Sequence, residues 1–391
     1  MPWKECTSVS LRREFVVMCQ REGSNVALLC QRYGVSRKTA YKWLRRYREE
    51  GERGLADQSR RPQCSPGRTA VEMEQQVVTI RDKHPAWGGR KIHARLRALG
   101  LQGIPAASTI TAILHRHERI SLEETAKHRP FVRFERSAPN DLWQIDFKGH
   151  WPLPAGGRCH PLTVLDDHSR FALGLRACSS ERTETVQGEL TTIFRCYGLP
   201  REVLADNGPP WGGSAGRELT SLGIWLVRLG IAICHGRPRH PQTQGKDERF
   251  HRTLKAEVLR GPEPQDLRGW QREFDVWREV YNQERPHEAL GMEVPARRYG
   301  PSPRAFPEVL PSIEYGLEDT IRPVRSGGEI HFHGKRFYVA EPLRGLPVAL
   351  RPTATDGVWN IYFCSHQVKR IDLRTSLEND GSVLPPKSME E

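Results

Sequence analysis

The chain lacks any long apolar segment. Its 391 residues contain no stretch that approaches the roughly 18 consecutive apolar residues of a membrane helix. The N-terminus, MPWKECTSVSLRREF, has no apolar run like that of a secretion signal. We therefore expect a protein that is neither membrane-bound nor secreted and that works in the cytoplasm.

Paired cysteines and a nucleotide-binding motif are also missing. The nine cysteines are an odd number, are spread along the chain, and form no Cys-x-x-Cys pair. This pattern argues against a disulfide framework and a zinc ribbon, and it is typical of a protein kept in a reducing cytosol. Because no Walker motif is present, no nucleoside triphosphate is implied.

Positive charge is abundant, and it is confined to the first third of the chain. Residues 1–137 hold 27 Lys and Arg against 14 Asp and Glu, whereas residues 138–391 hold 33 of each. A basic region joined to a neutral body is typical of nucleic-acid binding, because neutralised phosphates release their counterions. A solvated basic surface or a patch facing a membrane is the alternative reading of charge alone.

A helix-turn-helix pattern lies at the start of this basic third. Apolar positions at helical spacing predict one helix that ends near Gly23 and a second that ends at Gly34, and Ser36 is placed to cap a third, Arg37 to Glu50. Basic residues on the outward side of the third helix are predicted to contact DNA: Arg37, Lys38, Lys42, Arg45 and Arg46. Another kind of helical hairpin would look similar, but the basic helix favours a DNA-binding domain over residues 1–55.

A second helical module follows a basic linker at residues 56–68. The linker is rich in Pro, Gly and Arg, which is typical of a flexible tether or of a segment that follows a DNA groove. Thr69 and Glu72 have the spacing of a capping box, which predicts that a helix starts there. Two more helices, Lys91–Leu99 and Ser108–His115, would complete a DNA-binding module over residues 69–137. Two modules in tandem indicate a long, bipartite DNA site.

Beyond residue 138 the pattern changes to short strands alternating with helices. Three strands, 142–149, 161–166 and 171–177, predict a meander. The following segments predict a helix at 184–197, a strand at 201–205, a helix at 216–229 and a strand at 231–234. An α/β layered domain is the expected result.

Three acidic residues in this region are unusual for their surroundings. Asp146 interrupts an apolar strand, Asp206 ends a buried strand, and Glu248 lies in the first turn of a helix, where Asp247 is a rival for the same role. Buried carboxylates that cluster normally imply a cation, and oxygen ligands alone favour Mg²⁺ or Mn²⁺. Taken singly, each could instead be a turn-capping Asp or an exposed Glu.

Several motifs around these acids resemble the integrase core of retroviral integrases and bacterial insertion-sequence transposases. The motifs are, in order, Trp143-Gln-Ile-Asp146, Val164-Leu-Asp-Asp-His-Ser-Arg170, Ala205-Asp-Asn-Gly208, the run His240 to Arg249, Tyr281-Asn282 and Arg285-Pro286-His287. The resemblance covers most of residues 138–300. Retroviral integrases begin with a His/Cys zinc module, whereas the front end of this chain resembles that of the bacterial transposases.

This resemblance implies an RNase H-like core in which Asp146, Asp206 and Glu248 hold two Mg²⁺ or Mn²⁺ ions. Glu248 stands three residues after Gly245, where the family places its glutamate. Asp166 and Asp167 would be turn and fold residues that bind no metal. Basic residues on or near the Glu248 helix are expected to contact the DNA backbone, although a solvated basic helix is the alternative: Lys246, Arg249, His251, Arg252 and Lys255.

The chain after the core has two further features. An apolar stripe from Leu267 to Tyr281 predicts a helix that packs in the core rather than in a coiled coil. Short apolar segments separated by turns then predict a small closed β-barrel over residues 320–375. The expected fold class is therefore multidomain: N-terminal all-α helix-turn-helix modules, a central α/β RNase H-like core at 138–300, and the barrel.

The expected function is DNA transposition. The chain would bind the ends of a mobile element in double-stranded DNA, cut them and join them to a target, as at least a dimer on DNA and in association with the nucleoid. Joining two ends requires two active sites, and one chain supplies one set of acids. A catalytically silent DNA-binding regulator, or a nuclease of the same fold that cuts without joining, remains as an alternative.

Overall fold

The computed structural model describes residues 7–58, 67–120, 135–212, 219–235, 245–259 and 263–374. The chain divides into two compact units, Met1–Arg68 and Thr69–Glu391. Most of the predicted basic linker and the stretch 240–244 of the His240 motif lie outside the described residues.

The first unit is a three-helix bundle with helices α1 Ser8–Cys19, α2 Val26–Arg32 and α3 Arg37–Glu50. Its small core contains Phe15, Val16, Cys30, Ala40, Trp43, Leu44 and Leu55. Gly34 adopts φ +62° in the turn between α2 and α3, a conformation that glycine tolerates without strain. The Ser36 hydroxyl accepts a hydrogen bond from the Thr39 N–H at 3.1 Å. The predicted helices and the predicted cap of the third helix are confirmed.

The second unit begins with three more helices: α4 Val71–Lys83, α5 Gly89–Ala98 and α6 Ala107–Arg116. The predicted capping box is wrong, because α4 starts after Ala70 and no side chain caps it. The acidic residue of this first turn that makes a structural contact is Glu74, which is buried and forms an ion pair at 2.5 Å with Arg116 of α6. This ion pair ties the first turn of α4 to the end of α6, a long-range contact that the local capping pattern does not contain.

The core sheet has six strands: β1 Leu142–Phe147, β2 Trp151–Pro152, β3 Arg158–Asp166, β4 Ala172–Cys178, β5 Glu202–Ala205 and β6 Ala232–His235. The strand order is β2-β3-β1-β5-β6, and β4 also pairs with β3. Strand β3 is antiparallel to β1 and β4, which confirms the predicted meander. Strands β1, β5 and β6 are parallel to one another, so their carboxyl ends meet at one edge of the sheet.

Helices cover both faces of this sheet. They are α7 Thr183–Tyr197, α8 Ser221–Arg228, α9 Gly245–Glu257 and α10 Leu267–Gln283. One apolar cluster joins Trp143 and Val164 of the sheet to Phe194 of α7, and another joins Leu165 to Phe250 and Phe274 on α9 and α10. Because successive strand residues point to opposite faces, the two clusters form two layers. The α10 stripe is core, as predicted.

Helix α5 docks on the end of α10. Arg95 pairs with Glu284 at 2.5 Å, and Arg90 lies 3.4 Å from Glu288. Val280 of α10 packs against the core of the α4–α6 bundle. The second helical module is therefore part of the same compact unit as the sheet.

The C-terminal strands form two sheets. A four-stranded sheet has the order β12-β11-β10-β7, and a hairpin is made by β8 and β9. The strands are β7 Thr320–Pro323, β8 Glu329–Phe332, β9 Lys335–Tyr338, β10 Pro347–Pro352, β11 Val358–Phe363 and β12 His366–Asp372. Within the described residues the predicted closed barrel is not formed, since β7 and β12 remain sheet edges. The apolar side chains of these strands instead pack together with Ile224 and Val227 of α8, which buries them without closure.

Composition predicts neither a disulfide framework nor a membrane helix. The cysteines that the structure describes are all free thiols. Across the same ranges, no helix combines the length and the apolar character that crossing a membrane demands.

Candidate active site

Asp146 lies near the carboxyl end of β1, where the strand leaves the core. Its Oδ1 accepts a hydrogen bond from the Phe147 N–H at 2.8 Å, and its backbone carbonyl accepts one from the Thr163 hydroxyl at 2.9 Å. Burial raises the pKa of Asp146 to about 6; the Phe147 N–H opposes this shift, and Asp206 adds to it. The carboxylate is therefore held in an environment that disfavours its charge.

Asp206 follows directly after β5, the parallel neighbour of β1. The register pairs Leu142 with Glu202 and Gln144 with Leu204, which brings Asp146 and Asp206 to the same sheet edge. Asp206 Oδ1 accepts a hydrogen bond from the Gly208 N–H at 3.1 Å, and His235 Nδ1 donates to its carbonyl at 2.8 Å. Burial raises the pKa of Asp206, against the effect of the Gly208 N–H. The structure thus brings together two of the three predicted acids.

These two carboxylates have no cationic partner in the part of the chain that the structure describes. No Lys or Arg nitrogen there lies within ion-pair distance of Asp146 or Asp206, although the charge of Lys148 lowers the pKa of Asp146 slightly, and His251 Nδ1 lies 3.8 Å from Asp146 Oδ2. Burial lowers the pKa of His251 to about 3, so that the imidazole is neutral. The charge of the pair is offset only in part, by Lys148 near Asp146 and His235 near Asp206, and its oxygen donors suit a hard divalent cation.

Glu248 is exposed on the first turn of α9, outside this pair, whereas its neighbour Asp247 is buried. Neither carboxylate oxygen of Asp247 has a hydrogen-bond partner among the described residues, and burial, reinforced by Asp146, raises its pKa well above the usual value. Across the described ranges, no three His, Cys, Asp or Glu side chains form a group that could hold a metal ion. The sheet-edge pair and the first turn of α9 are nevertheless close, because His251, one turn after Glu248, contacts Asp146.

The turn after β3 holds two acids with different partners. Asp166 accepts hydrogen bonds from the Asn140 N–H and from the N–H and hydroxyl of Ser169, which makes it a turn residue. Asp167 is fully buried and pairs with Lys246 of α9. The Lys246 side chain is only 16% exposed, so its ammonium faces this carboxylate and not solvent. That placement does not fit the predicted contact of Lys246 with DNA.

Most of the other basic residues predicted to meet DNA lie at the surface. On α9, Arg249, Arg252 and Lys255 are exposed. On α3 of the first unit, Arg37, Lys38, Lys42 and Arg45 are exposed. Arg46 is half-buried, with its guanidinium 5.2 Å from the centre of the Trp43 ring. His251, also predicted to meet DNA, is buried beside Asp146, so that expectation is wrong for His251 as it is for Lys246. The exposed residues remain available for a phosphate backbone.

An open groove lies beside the carboxylate pair. It encloses about 640 Å³ and is lined by His160, Ser180, Glu181, Arg182, Thr183, Glu184, Pro209 and Pro210. His160 and Glu181 pair at 2.8 Å, and the charge of Glu181 raises the pKa of both Asp146 and Asp206. Sequence reasoning missed these residues, because they belong to no motif and strand pairing alone brings them to the site.

Family models match the chain along most of its length. A helix-turn-helix domain matches residues 12–63, and a homeodomain-like domain matches residues 39–114. Two integrase core domains match residues 136–241 and 229–295. The C-terminal domain of IS481 family transposases matches residues 319–379.

Two relatives come from bacterial insertion elements. An uncharacterised 31.7 kDa protein of insertion element IS407 from Burkholderia multivorans is 26% identical over 246 residues, 60% of this chain and 85% of that protein. An uncharacterised 39.2 kDa protein of insertion element IS476 from Xanthomonas euvesicatoria is 26% identical over 255 residues, 62% of this chain and 69% of that protein. A solved structure, the simian T-cell lymphotropic virus intasome in complex with PP2A regulatory subunit B56 gamma, is similar at 15% identity and a TM-score of 0.37, covering 76% of this chain and 95% of that chain.

Proposed function

Because the chain carries helix-turn-helix domains, an integrase core and the C-terminal domain of IS481 family transposases, we propose that it is a DNA transposase. In this proposal it binds the ends of a mobile element and catalyses metal-dependent 3′-end cleavage and strand transfer into target DNA. The observation that supports the chemistry best is the pair Asp146 and Asp206, which lies at the carboxyl ends of adjacent parallel strands without a cationic partner among the described residues.

The two carboxylates at the sheet edge are oxygen donors of the kind that divalent cations prefer, and Glu248 of the neighbouring helix turn would complete the set. Asp146, Asp206 and Glu248 would hold two Mg²⁺ or Mn²⁺ ions, which supply activation of the oxygen nucleophile and stabilisation of the leaving 3′ oxygen. The Phe147 N–H binds one oxygen of Asp146 and the Gly208 N–H binds one oxygen of Asp206, so the second oxygen of each carboxylate accepts no backbone N–H from the described residues and would be the one to bind a metal. Glu248 follows from its position three residues after Gly245, and Asp247 is the alternative third ligand.

The reaction consists of two exchanges of a phosphoester bond. In the first, water forms a new bond to phosphorus at the end of the element, the bond from phosphorus to the 3′ oxygen breaks, and a proton passes to that oxygen. In the second, the freed 3′-OH attacks a target phosphodiester, and the 3′ oxygen of the target leaves with a proton. No side chain of the protein forms a covalent bond to DNA.

The remaining residues bind and orient the DNA. Helix α3 would read the element end in the major groove, and the exposed cations of α9 would hold phosphates next to the sheet edge. Because one chain carries one set of acids, two element ends require at least a dimer, which would assemble on DNA.

Strand-transfer assays on a DNA fragment that carries the ends of the element test this function. Purified protein with Mg²⁺ or Mn²⁺ should release the 3′ end and join it to a plasmid target, and Asp146→Asn or Asp206→Asn should remove both products while DNA binding persists. Release of ends without joining would indicate a nuclease. Binding of the ends without either product at any Mg²⁺ or Mn²⁺ concentration would indicate a silent regulator and contradict the proposal.

A further inference from the structure

The buried carboxylate of Asp167 connects three separate segments of the chain. Its Oδ1 accepts a hydrogen bond from Gln144 Nε2 of β1 at 2.7 Å, and its Oδ2 accepts one from the Arg136 N–H at 2.8 Å. Lys246 of α9 binds the same carboxylate and also donates to the Asp167 carbonyl at 3.2 Å. One side chain therefore contacts the strand that carries Asp146 and the helix that carries Glu248.

The two side chains that bind Asp167 from β1 and α9 lie close in sequence to the acidic residues of the proposed metal site. Gln144 stands two residues before Asp146, and its side chain is buried with Asp167. Lys246 stands two residues before Glu248, in the same first turn of α9. Because a helix turn is rigid, the position of the Lys246 backbone determines where Glu248 can lie.

A buried ion pair of this kind is a costly way to hold two elements together. Both charges lose hydration, and apolar side chains of similar volume would often stabilise a fold as well. The charged hydrogen bonds of the pair instead fix geometry, because each donor must approach the carboxylate from a defined direction. Asp166 beside it shows the contrast, because its partners, Ser169 and the Asn140 N–H, include no residue of α9.

We propose that Asp167 and Lys246 are positioning residues that fix the first turn of α9, and with it Glu248, relative to Asp146. The inference rests on the proposed function, because it assigns the pair to the assembly of that metal site. The pair itself touches neither DNA nor the reacting atoms.

Two variants break the pair from opposite sides, Asp167→Asn and Lys246→Met. In each we expect a roughly 10- to 100-fold increase in the Mn²⁺ concentration that gives half-maximal strand transfer, the usual effect of losing a partner that orients metal ligands. The double variant should be no worse than the single ones, because the two residues act as a unit. Lys246→Arg keeps the charge and should restore most of the wild-type Mn²⁺ requirement.

Hydrogen exchange on the metal-free protein gives a second measurement. The amides of the peptide that spans α9 should exchange faster in both single variants, while those of β1 stay as slow as in the wild type. Asp166→Asn is the matched control, since it removes a neighbouring buried carboxylate that has no partner on α9; it should lower thermal stability without changing the Mn²⁺ requirement.

The outcomes separate the two proposals. If wild-type protein shows no cleavage or joining at any Mn²⁺ concentration, the proposed function fails, while faster exchange in α9 would still support the link between Asp167 and Lys246. If the wild type is active and both single variants keep its Mn²⁺ requirement and its exchange pattern, the positioning role is wrong. An equal shift in Asp166→Asn would also overturn it, because the effect would then come from general loosening of the turn.

Discussion

At the scale of single residues, the candidate site is built from side chains in environments that oppose their charge. Burial raises the pKa of Asp146, Asp206 and Asp247 and lowers that of His251. A protein that keeps such groups loses stability in exchange for a function that needs them. The loss can be measured in the absence of metal.

Asp146→Asn should therefore make the metal-free protein more stable at neutral pH. The pKa of Asp146 is raised on folding from 3.8 to about 6. The folded state then binds the proton more tightly, so the contribution of this group to stability is greatest below pH 4 and falls as pH rises to 6. At about 1.4 kcal/mol per pKa unit, the variant should gain up to about 3 kcal/mol at pH 7.5 and little at pH 4.

Urea unfolding at the two pH values, with a chelator present, measures this difference. Asp356→Asn serves as the control, because Asp356 is exposed in the turn before β11. A gain that is the same at both pH values would mean that the change in packing, and not the charge, is responsible.

A second prediction at this scale concerns the third acid. Glu248→Gln should reduce cleavage and joining by about 100-fold or more, because a metal ligand contributes several kcal/mol to transition-state stabilisation. Asp247→Asn should keep most activity, because the proposed ligand is Glu248 and the buried Asp247 side chain keeps its size on this change. Gel assays of both products on the same DNA decide between them, and the opposite ranking would assign the third position to Asp247.

At the scale of elements, apolar periodicity predicted the main strands and helices well, whereas a short capping pattern and sheet closure were predicted poorly. The strands that carry Asp146 and Asp206 and the stripe of α10 were visible as apolar runs with turns between them. The two-residue β2 was too short to give a pattern, and the start of α4 was misplaced. Closure of the C-terminal strands is not seen in the described residues, where their apolar side chains pack with Ile224 and Val227 of α8, a contact that apolar periodicity in the sequence does not reveal.

The same limit applies to the site. Asp146 and Asp206 stood out because one interrupts an apolar strand and the other ends one, and because the motifs around them resemble the integrase core. Thr163 and Glu181 gave no such signal, and His251, expected to face DNA, is instead buried beside Asp146. The pairing of Lys246 with Asp167 links positions 79 residues apart, which no local spacing can indicate.

Helix α3 carries the prediction for this scale. Lys42→Ala and Arg45→Ala, both exposed substitutions, should leave the melting temperature unchanged while weakening binding of the element ends. If each contacts a phosphate, the slope of log affinity against log salt should fall by about 1 per substitution. Arg370→Ala in β12 is the control for loss of an exposed charge. Unchanged affinity and slope in the α3 variants would rule out this helix as the DNA contact.

At the scale of the whole molecule, cleavage should occur in trans. Chains with Asp146→Asn, and chains with Lys38→Ala, Lys42→Ala and Arg45→Ala, should each be inactive alone, because one lacks chemistry and the other lacks end binding. Mixed together they should regain cleavage, since one subunit can hold the end that the core of another subunit cuts. Denaturing gels of labelled ends measure the products. A mixture as inactive as its components, with wild-type chains crosslinking only as monomers on paired ends, would contradict assembly.

The docking of α5 on α10 has a consequence for how a DNA end is measured. Arg95 and Glu284, with Val280 beneath them, make the second helical module one body with the sheet that bears Asp146. If that module binds the duplex, the distance from the bound DNA segment to the carboxylates at the sheet edge is fixed by the protein. The number of base pairs between the bound sequence and the cleavage site would then be constrained, whereas the identity of those base pairs would be free to vary.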